Sequence, residues 1–339
     1  MTGGFQDRAG IIAAVAQLPS VDSASMAAAR KRDAELTKPA GALARLEGCI
    51  EHLAGWQGRA IPQLNAVSIL IFAGNHGVTA RGVSAYPAEV TVQMVANFER
   101  GGAAINQLAR LHGAALSVTA LDLENPTADF TAAPAMDDAA WLDAINRGVA
   151  AVPAQADLVI LGEMGIGNTT AAAALAAALY GGDAASWVGP GTGVAGAALA
   201  AKLATVDAAL SFHGPSLTDP LEALRRVGGR ELAALFGALL AARQRRIPVL
   251  LDGFVVGAAA AVLARLAPGG LDHCLAGHVS AEPGHRRLLQ ALNQKPLLDL
   301  GMRLGEGSGA AVALGLLKAA VACHAGMATF AEASVSNRA

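Results

Sequence analysis

The chain has 339 residues, 53% of them hydrophobic and only 15% charged, with a formal net charge of −2. That length buries a sizeable core in one large or two smaller domains. The near-neutral charge gives no electrostatic footprint for nucleic acid or an anionic bilayer, so small-molecule substrates are expected, with no nucleic-acid partner and no membrane.

In chain order, the region before Pro62 reads as helices. Ile11 to Leu18, Ser25 to Leu36 and Leu43 to Ala54 carry apolar positions at helical spacing, and Pro39-Ala40-Gly41 separates the second from the third. The stretch from Met1 to Ala9 holds Asp7 and Arg8 and lacks the apolar core of a signal peptide. After Pro62 short apolar runs end in glycine-rich turns: Val67 to Ala73 before Gly74-Asn75-His76-Gly77, Ala114 to Leu121, and Asp157 to Leu161 before Gly162 to Thr170. The same grammar continues at Ser186 to Val188, Ile247 to Leu251, Leu271 to Leu275 and Leu297 to Leu300. Alanine-rich segments of helical length lie between most of them.

Strand, glycine-rich turn and helix, repeated, predict an α/β fold with a mostly parallel sheet. The turns then collect at the carboxyl ends of the strands, where such sheets bind ligands. The N-terminal helices and a long helix from about Ser308 to His324 are expected to form a smaller helical layer closing over that edge. The uncharged stretch Met164 to Gly182 opens with Gly-Ile-Gly-Asn-Thr-Thr and reads as a buried core helix; a membrane span wants ~20 mostly apolar residues. Cys49, Cys274 and Cys323 are odd in number and widely spaced, which fits reduced thiols in a cytoplasmic protein.

Gly165-x-Gly167-Asn168-Thr169-Thr170 is the strongest local signal. Free N–H groups and the helix dipole favour an anion there, and both threonines add hydroxyl donors; the competing reading is a tight turn needing glycine for positive φ. Gly189 to Gly193 offers a weaker copy, with Thr192 as donor. Glu306, between Gly305 and Gly307 just before a long apolar helix, is either an N-terminal cap or a carboxylate presented to a ligand. Glu163 faces the same crevice or braces its own loop. His76 reads as a loop-ordering residue, Lys202 as a solvated lysine, and Arg243, Arg245 and Arg246 as a solvated helix end. His278, Glu282 and His285 suggest a metal set, but Pro283 and Gly284 break any helix that would align them, so no metal is expected.

Together these motifs resemble one family, the nicotinate-nucleotide–dimethylbenzimidazole phosphoribosyltransferases. The matching stretches are LTKPAGALARLE (36–47), AGNHGVTARGVSAYPAEVTVQMVANF (73–98), GEMGIGNTTAAAAL (162–175), GPGTGV (189–194), HGPSLTDPLEALRRVGG (213–229), LLDGFVVGAAA (250–260), GHVSAEPGH (277–285) and LDLGMRLGEGSGAA (298–311). They run in the family's order from about residue 36 to 325, and GEMGIGNTT and RLGEGSG are specific to it.

The resemblance implies a Rossmann-like sheet domain over residues 65–304, a small helical domain from both chain ends (1–64 and 305–339), and a homodimer without a cofactor. It implies phosphoribosyl transfer from nicotinate mononucleotide to 5,6-dimethylbenzimidazole for the cobalamin lower ligand. Glu306 matches the catalytic base. Glu163, Gly165, Asn168, Lys202, Gly253, Ser280 and Arg303 fall at the nucleotide, where the turn itself adds Gly167 and Thr169, and Ser84, Tyr86, Gln93 and Leu304 fall at the base pocket. The sequence departs from the family at Ala195 and Gly196, where acidic residues are usual, and at Ala42, where the family has serine.

Two other readings stay open. A nicotinamide-dependent oxidoreductase would use the glycine-rich turn, although the spacing is not G-x-G-x-x-G and no acidic residue ends a second strand ~20 residues on. A non-catalytic nucleotide- or azole-binding member of the same family is the other.

Overall fold

The structure, a computed structural model, describes residues 4–336. Residues 1–3 and 337–339, at the edges of the expected small domain and of the stretch inspected for a signal peptide, lie outside the described residues. Helices α1 (Arg8–Ala16), α2 (Ser23–Glu35) and α3 (Arg45–Gln57) precede strand β1 (Val67–Ala73). Then come α4 (Glu89–Glu99), α5 (Ala104–His112), β2 (Ala115–Ala120), α6 (Asp138–Ala151), β3 (Leu158–Met164) and α7 (Asn168–Tyr180). Helices α8 (Gly196–His213), α9 (Pro220–Val227) and α10 (Arg230–Gln244) lead to β4 (Val249–Leu251). The chain ends with α11 (Phe254–Leu266), β5 (Cys274–Ala276), α12 (Pro283–Ala291) and α13 (Ser308–Gly326).

The five strands pair in parallel in the order β2-β1-β3-β4-β5. Strand alternation assigns each face its helices, because successive side chains point to opposite sides. Leu70 and Phe72, Val159 and Leu161, Val249 and Leu251 join one core with α6, α7, α10 and α11. Ile69 and Ile71, Leu158 and Ile160, and Leu250 join the other, with Leu53 of α3, Ile105 of α5 and Leu314 and Leu317 of α13. Helix α13 is long and apolar enough to cross a bilayer, but these contacts lay it against the sheet. Segments from both chain ends meet: Ala29 of α2, Ile50 of α3 and Ala320 of α13 pack together, and Arg32 Nε donates to the His324 carbonyl at 2.9 Å. Helix α1 instead joins the first core, where Ile11 and Val15 cluster with Trp141 and Ile145 of α6.

Two expected strands do not form. Asp183 accepts from the Ser186 N–H (3.0 Å) and hydroxyl (2.6 Å), drawing Ala184–Ser186 into a 3-10 turn before Trp187 and Val188 are buried. Leu297–Leu300 follows β5 for a single bridge, His278 with Leu298, after which Gly301 (φ +67°) turns the chain away.

Candidate active site

Between β1 and β3 the strand order reverses, and in open α/β sheets that switch point, at the carboxyl ends, is where a crevice forms. A cavity of about 440 Å³ opens on the β3 side of it. Its floor comes from the exits of β3, β4 and β5, and its lip from the segment before α13 and from α4. Its lining includes apolar side chains, among them Val90, Met94, Met164, Ile166, Val255 and Leu304, and the polar Thr169, Thr192, Ser280 and Arg303. Helices α7 and α11 begin at the wall, so their first-turn N–H groups make this end of the sheet favourable for an anion.

Glu306 reaches this wall from an uncommon backbone. Gly305, Glu306 and Gly307 are all left-handed, at φ +83°, +64° and +77°. For glutamate that conformation costs on the order of 1–2 kcal/mol. The loop holds it by lying against β3, where a Cβ on Gly162 would meet Gly307 N at 2.6 Å. The capping role that local sequence allowed Glu306 belongs to Asp252, at the end of β4: its carboxylate accepts the Gly307 N–H (3.1 Å) and the Ala310 N–H (2.9 Å). Glu306 is therefore free of its own helix, 5% exposed, with Oε2 unpartnered. Burial raises its pKa, the Ile105 N–H at the start of α5 works against that, and the charge of Asp252 adds to it.

Glu163 stands at the end of β3 and accepts a hydrogen bond from the Asn168 side chain. Burial first, and then Asp252, push its carboxyl up to about 8 against the Asn168 bond, with Glu231 and Glu306 adding to the rise. At neutral pH it keeps its proton, which spares the cavity one negative charge.

Lys202 corrects the reading of a solvated side chain. It is 1% exposed, and Nζ donates to Thr169 Oγ1 at 2.8 Å and to the Gly189 carbonyl at 2.9 Å. Burial lowers its pKa to about 8, with Glu282 opposing. Glu282 in turn accepts the Gly191 N–H at 2.9 Å, so the lysine and the glutamate fix the 189–193 loop from beneath.

Ten expected site residues line the cavity: Glu306, Glu163, Gly165, Asn168, Thr169, Gly253, Ser280, Arg303, Tyr86 and Leu304. Gly167 sits behind the wall as the left-handed N-cap of α7. Lys202 lies under Thr169, and Ser84 Oγ lies 3.1 Å from Thr192 Oγ1 at the lip. Gln93 is exposed on α4 outside the lining, and Thr170 is buried away from it. His76 orders its turn through Glu231, Nε2 to Oε1 at 2.6 Å. Arg243 is buried over the Trp56 ring at 4.2 Å, and Arg245 donates to the Val152 carbonyl, so neither is a solvated helix end.

Pro283 and Gly284 open α12 rather than break a helix, because proline at the first position gives up an N–H that has no partner anyway. Among the described residues no three His, Cys, Asp or Glu side chains gather as a metal set. No helical layer from residues 4–64 closes over this cavity within the chain: α2 and α3 pack beside α13, and α1 packs on α6. Sequence reasoning missed Asp252 and Glu231, and considered His278 only as part of a metal set, whereas it lines the cavity. The signal within reach was Leu-Leu-Asp-Gly, a buried acid at a strand end.

A family model described as phosphoribosyltransferase matches residues 18–335. The nicotinate-nucleotide–dimethylbenzimidazole phosphoribosyltransferase of Mesorhizobium japonicum is 61% identical over 327 residues, 96% of this chain and 97% of that one. The protein of the same name from Cereibacter sphaeroides is 56% identical, with 99% of each chain covered. A crystal structure of the Thermus thermophilus protein, also of that name, superposes with a TM-score of 0.86 at 43% identity, covering 94% of this chain and 100% of that one.

Proposed function

Since the chain belongs to the nicotinate-nucleotide–dimethylbenzimidazole phosphoribosyltransferase family, we propose that it transfers phosphoribose from nicotinate mononucleotide to 5,6-dimethylbenzimidazole, releasing nicotinate and α-ribazole phosphate, with Glu306 as general base. The product supplies the lower ligand of cobalamin.

The chemistry asks little of the protein, and the cavity supplies it. The departing pyridinium ring leaves as a neutral pyridine, so no general acid is needed. The attacking azole nitrogen has a lone pair, while the opposite ring N–H grows acidic as the bond to C1′ forms. A carboxylate can take that proton, a contribution typically worth ~10²–10⁴ in rate. The β-linked substrate gives an α-linked product, an inversion that suits direct displacement.

The observation that carries this reading is Glu306: a buried carboxylate in strained backbone, relieved of capping by Asp252, with one oxygen idle at the cavity. Glu163, Gly165, Asn168, Thr169, Gly253, Ser280 and Arg303 would hold the nucleotide, with the Lys202 ammonium donating to Thr169 from behind. Tyr86, Met164, Ile166 and Leu304 would hold the flat base.

The reading extends to the assembly and the compartment. Tyr86 and Leu304 of the cavity lining and nearby Leu300 are more than half exposed, and Val92 nearly so, which supports a homodimer. Three free thiols, two of them buried, support a cytoplasmic enzyme. The packing of α2, α3 and α13 supports a small domain from both chain ends beside a 65–304 sheet domain.

The test is Glu306→Gln. Turnover, followed as nicotinate release, should fall at least about a hundredfold while nicotinate mononucleotide still binds. A near-normal rate would remove Glu306 from the role.

A further inference from the structure

Asp252 is 1% exposed and already caps the first turn of α13. Its cavity neighbours, Glu163 and Glu306, are carboxyls that burial, and then the charge of Asp252, push upward. Among the described residues a single Lys, Arg or His side chain approaches Asp252 within salt-bridge distance: His278, whose Nε2 lies 3.3 Å from Oδ1.

His278 follows β5, lines the cavity and is 3% exposed. Its ring lies on the α13 backbone so closely that a Cβ on Gly309 would fall 2.2 Å from it. The position is thus set by packing, yet neither ring nitrogen completes a hydrogen bond in the ligand-free chain. A buried imidazole left this way costs stability. Such a cost is understandable where the bond closes only when substrate fills the site, since catalytic hydrogen bonds are often long before that. His285 packs edge-on to His278 at 6.1 Å, but its Nδ1 is committed to the Ser280 N–H at 2.8 Å. Burial and then His278 push its pKa down to about 3, so it stays neutral and takes no part of the load.

We infer that His278 is a positioning residue for the transfer reaction: its Nε2–H holds Asp252, and Asp252, through the first turn of α13, holds Glu306 against the bound base. This rests on the reading of Glu306 as base. The imidazole need not touch either substrate. It acts on the reacting atoms at one remove, through a carboxylate that would otherwise confront Glu163 and Glu306 with backbone donors alone.

The test compares His278→Phe, which keeps the ring shape and loses the donor, with His278→Gln, whose amide can still donate toward Asp252. For Phe, kcat should fall about tenfold to a hundredfold, the range expected for a bond to a charged group, while KM for nicotinate mononucleotide stays within about threefold. Gln should restore kcat to within about threefold of the parent. The acid limb of the kcat–pH profile should move to higher pH in the Phe variant alone, because an unshielded Asp252 raises Glu306. The groups facing this site are Asp252 after β4, Glu163 on β3, Glu306 and Arg303 before α13, and Glu282 and His285 at α12.

A Phe variant with parental kcat and pH limb would overturn the inference, as would Gln falling as far as Phe. Should Phe fail to fold, His278→Asn, whose amide reaches only the Nδ1 position, carries the same contrast with Gln. The base assignment is judged separately: a fully active Glu306→Gln variant sinks that reading whatever His278 does.

Discussion

Two glycine-rich turns enter this cavity, and they are built on opposite terms. The turn into α7 uses one left-handed residue, Gly167, where glycine adopts that conformation without penalty, and presents Asn168 and Thr169 on the first turn of the helix. The turn into α13 uses three consecutive left-handed residues and places a glutamate in the middle of them. The first is what binding an anion needs: relaxed backbone, amide donors and hydroxyls. The second carries strain, and strain persists only where the surroundings over-determine it. Here the surroundings are the bare Cα of Gly162 and the two bonds from Asp252. On the proposed reading, one turn holds the nucleotide and the other acts on the base.

That contrast can be broken most visibly by kinetics. Lys202→Met, which strips the cation from beneath the α7 side, should raise KM for nicotinate mononucleotide about tenfold to a hundredfold with kcat nearly kept. Glu306→Gln should give the reverse pattern. Equal effects of both variants on kcat would mean that the two turns do not divide the work.

A smaller effect should appear in stability against pH. Glu163 ionises near 4.5 when unfolded but keeps its proton in the fold up to about 8. Between those values the unfolded chain binds fewer protons, so stability should fall as pH rises from about 5 to 8 and then level off. Thermal melts of Glu163→Gln should lack this component of the slope; an unchanged slope would put the carboxyl's proton elsewhere.

The smallest expected effect bears on strain itself. Glu306→Gly should abolish turnover yet raise stability by about 1 kcal/mol, roughly 2 °C in Tm, because glycine accepts φ +64° freely. A lower Tm would show that the glutamate contributes more to the fold through the Ile105 N–H than its backbone costs.

What could be read from consecutive residues was whatever short-range sterics control. The nearly unbroken apolar runs Val67–Ala73 and Leu158–Leu161 marked buried strands, Pro39 to Gly41 marked a break, and the glycines at 165, 167, 305 and 307 marked turns at strand ends. Those features pointed to the carboxyl edge of the sheet and, with the family resemblance, to ten of the residues that line the cavity there. The sequence also misled in local ways: Ser186–Val188 is apolar enough for a strand, but Asp183 captures its amide first.

Only the tertiary structure decided what each polar group is free to do. Glu306 could have been a cap until Asp252, 55 residues away from Gly307, took that place. Lys202 looked solvated until Thr169 and Gly189 closed over it. The α2–α3 layer looked like a lid until its packing on α13 set it aside. The physical reason is the same in each case. Backbone preference is a property of a residue and its neighbours, whereas the availability of a carboxylate or an ammonium group depends on which partners reach it, and those come from distant parts of the chain.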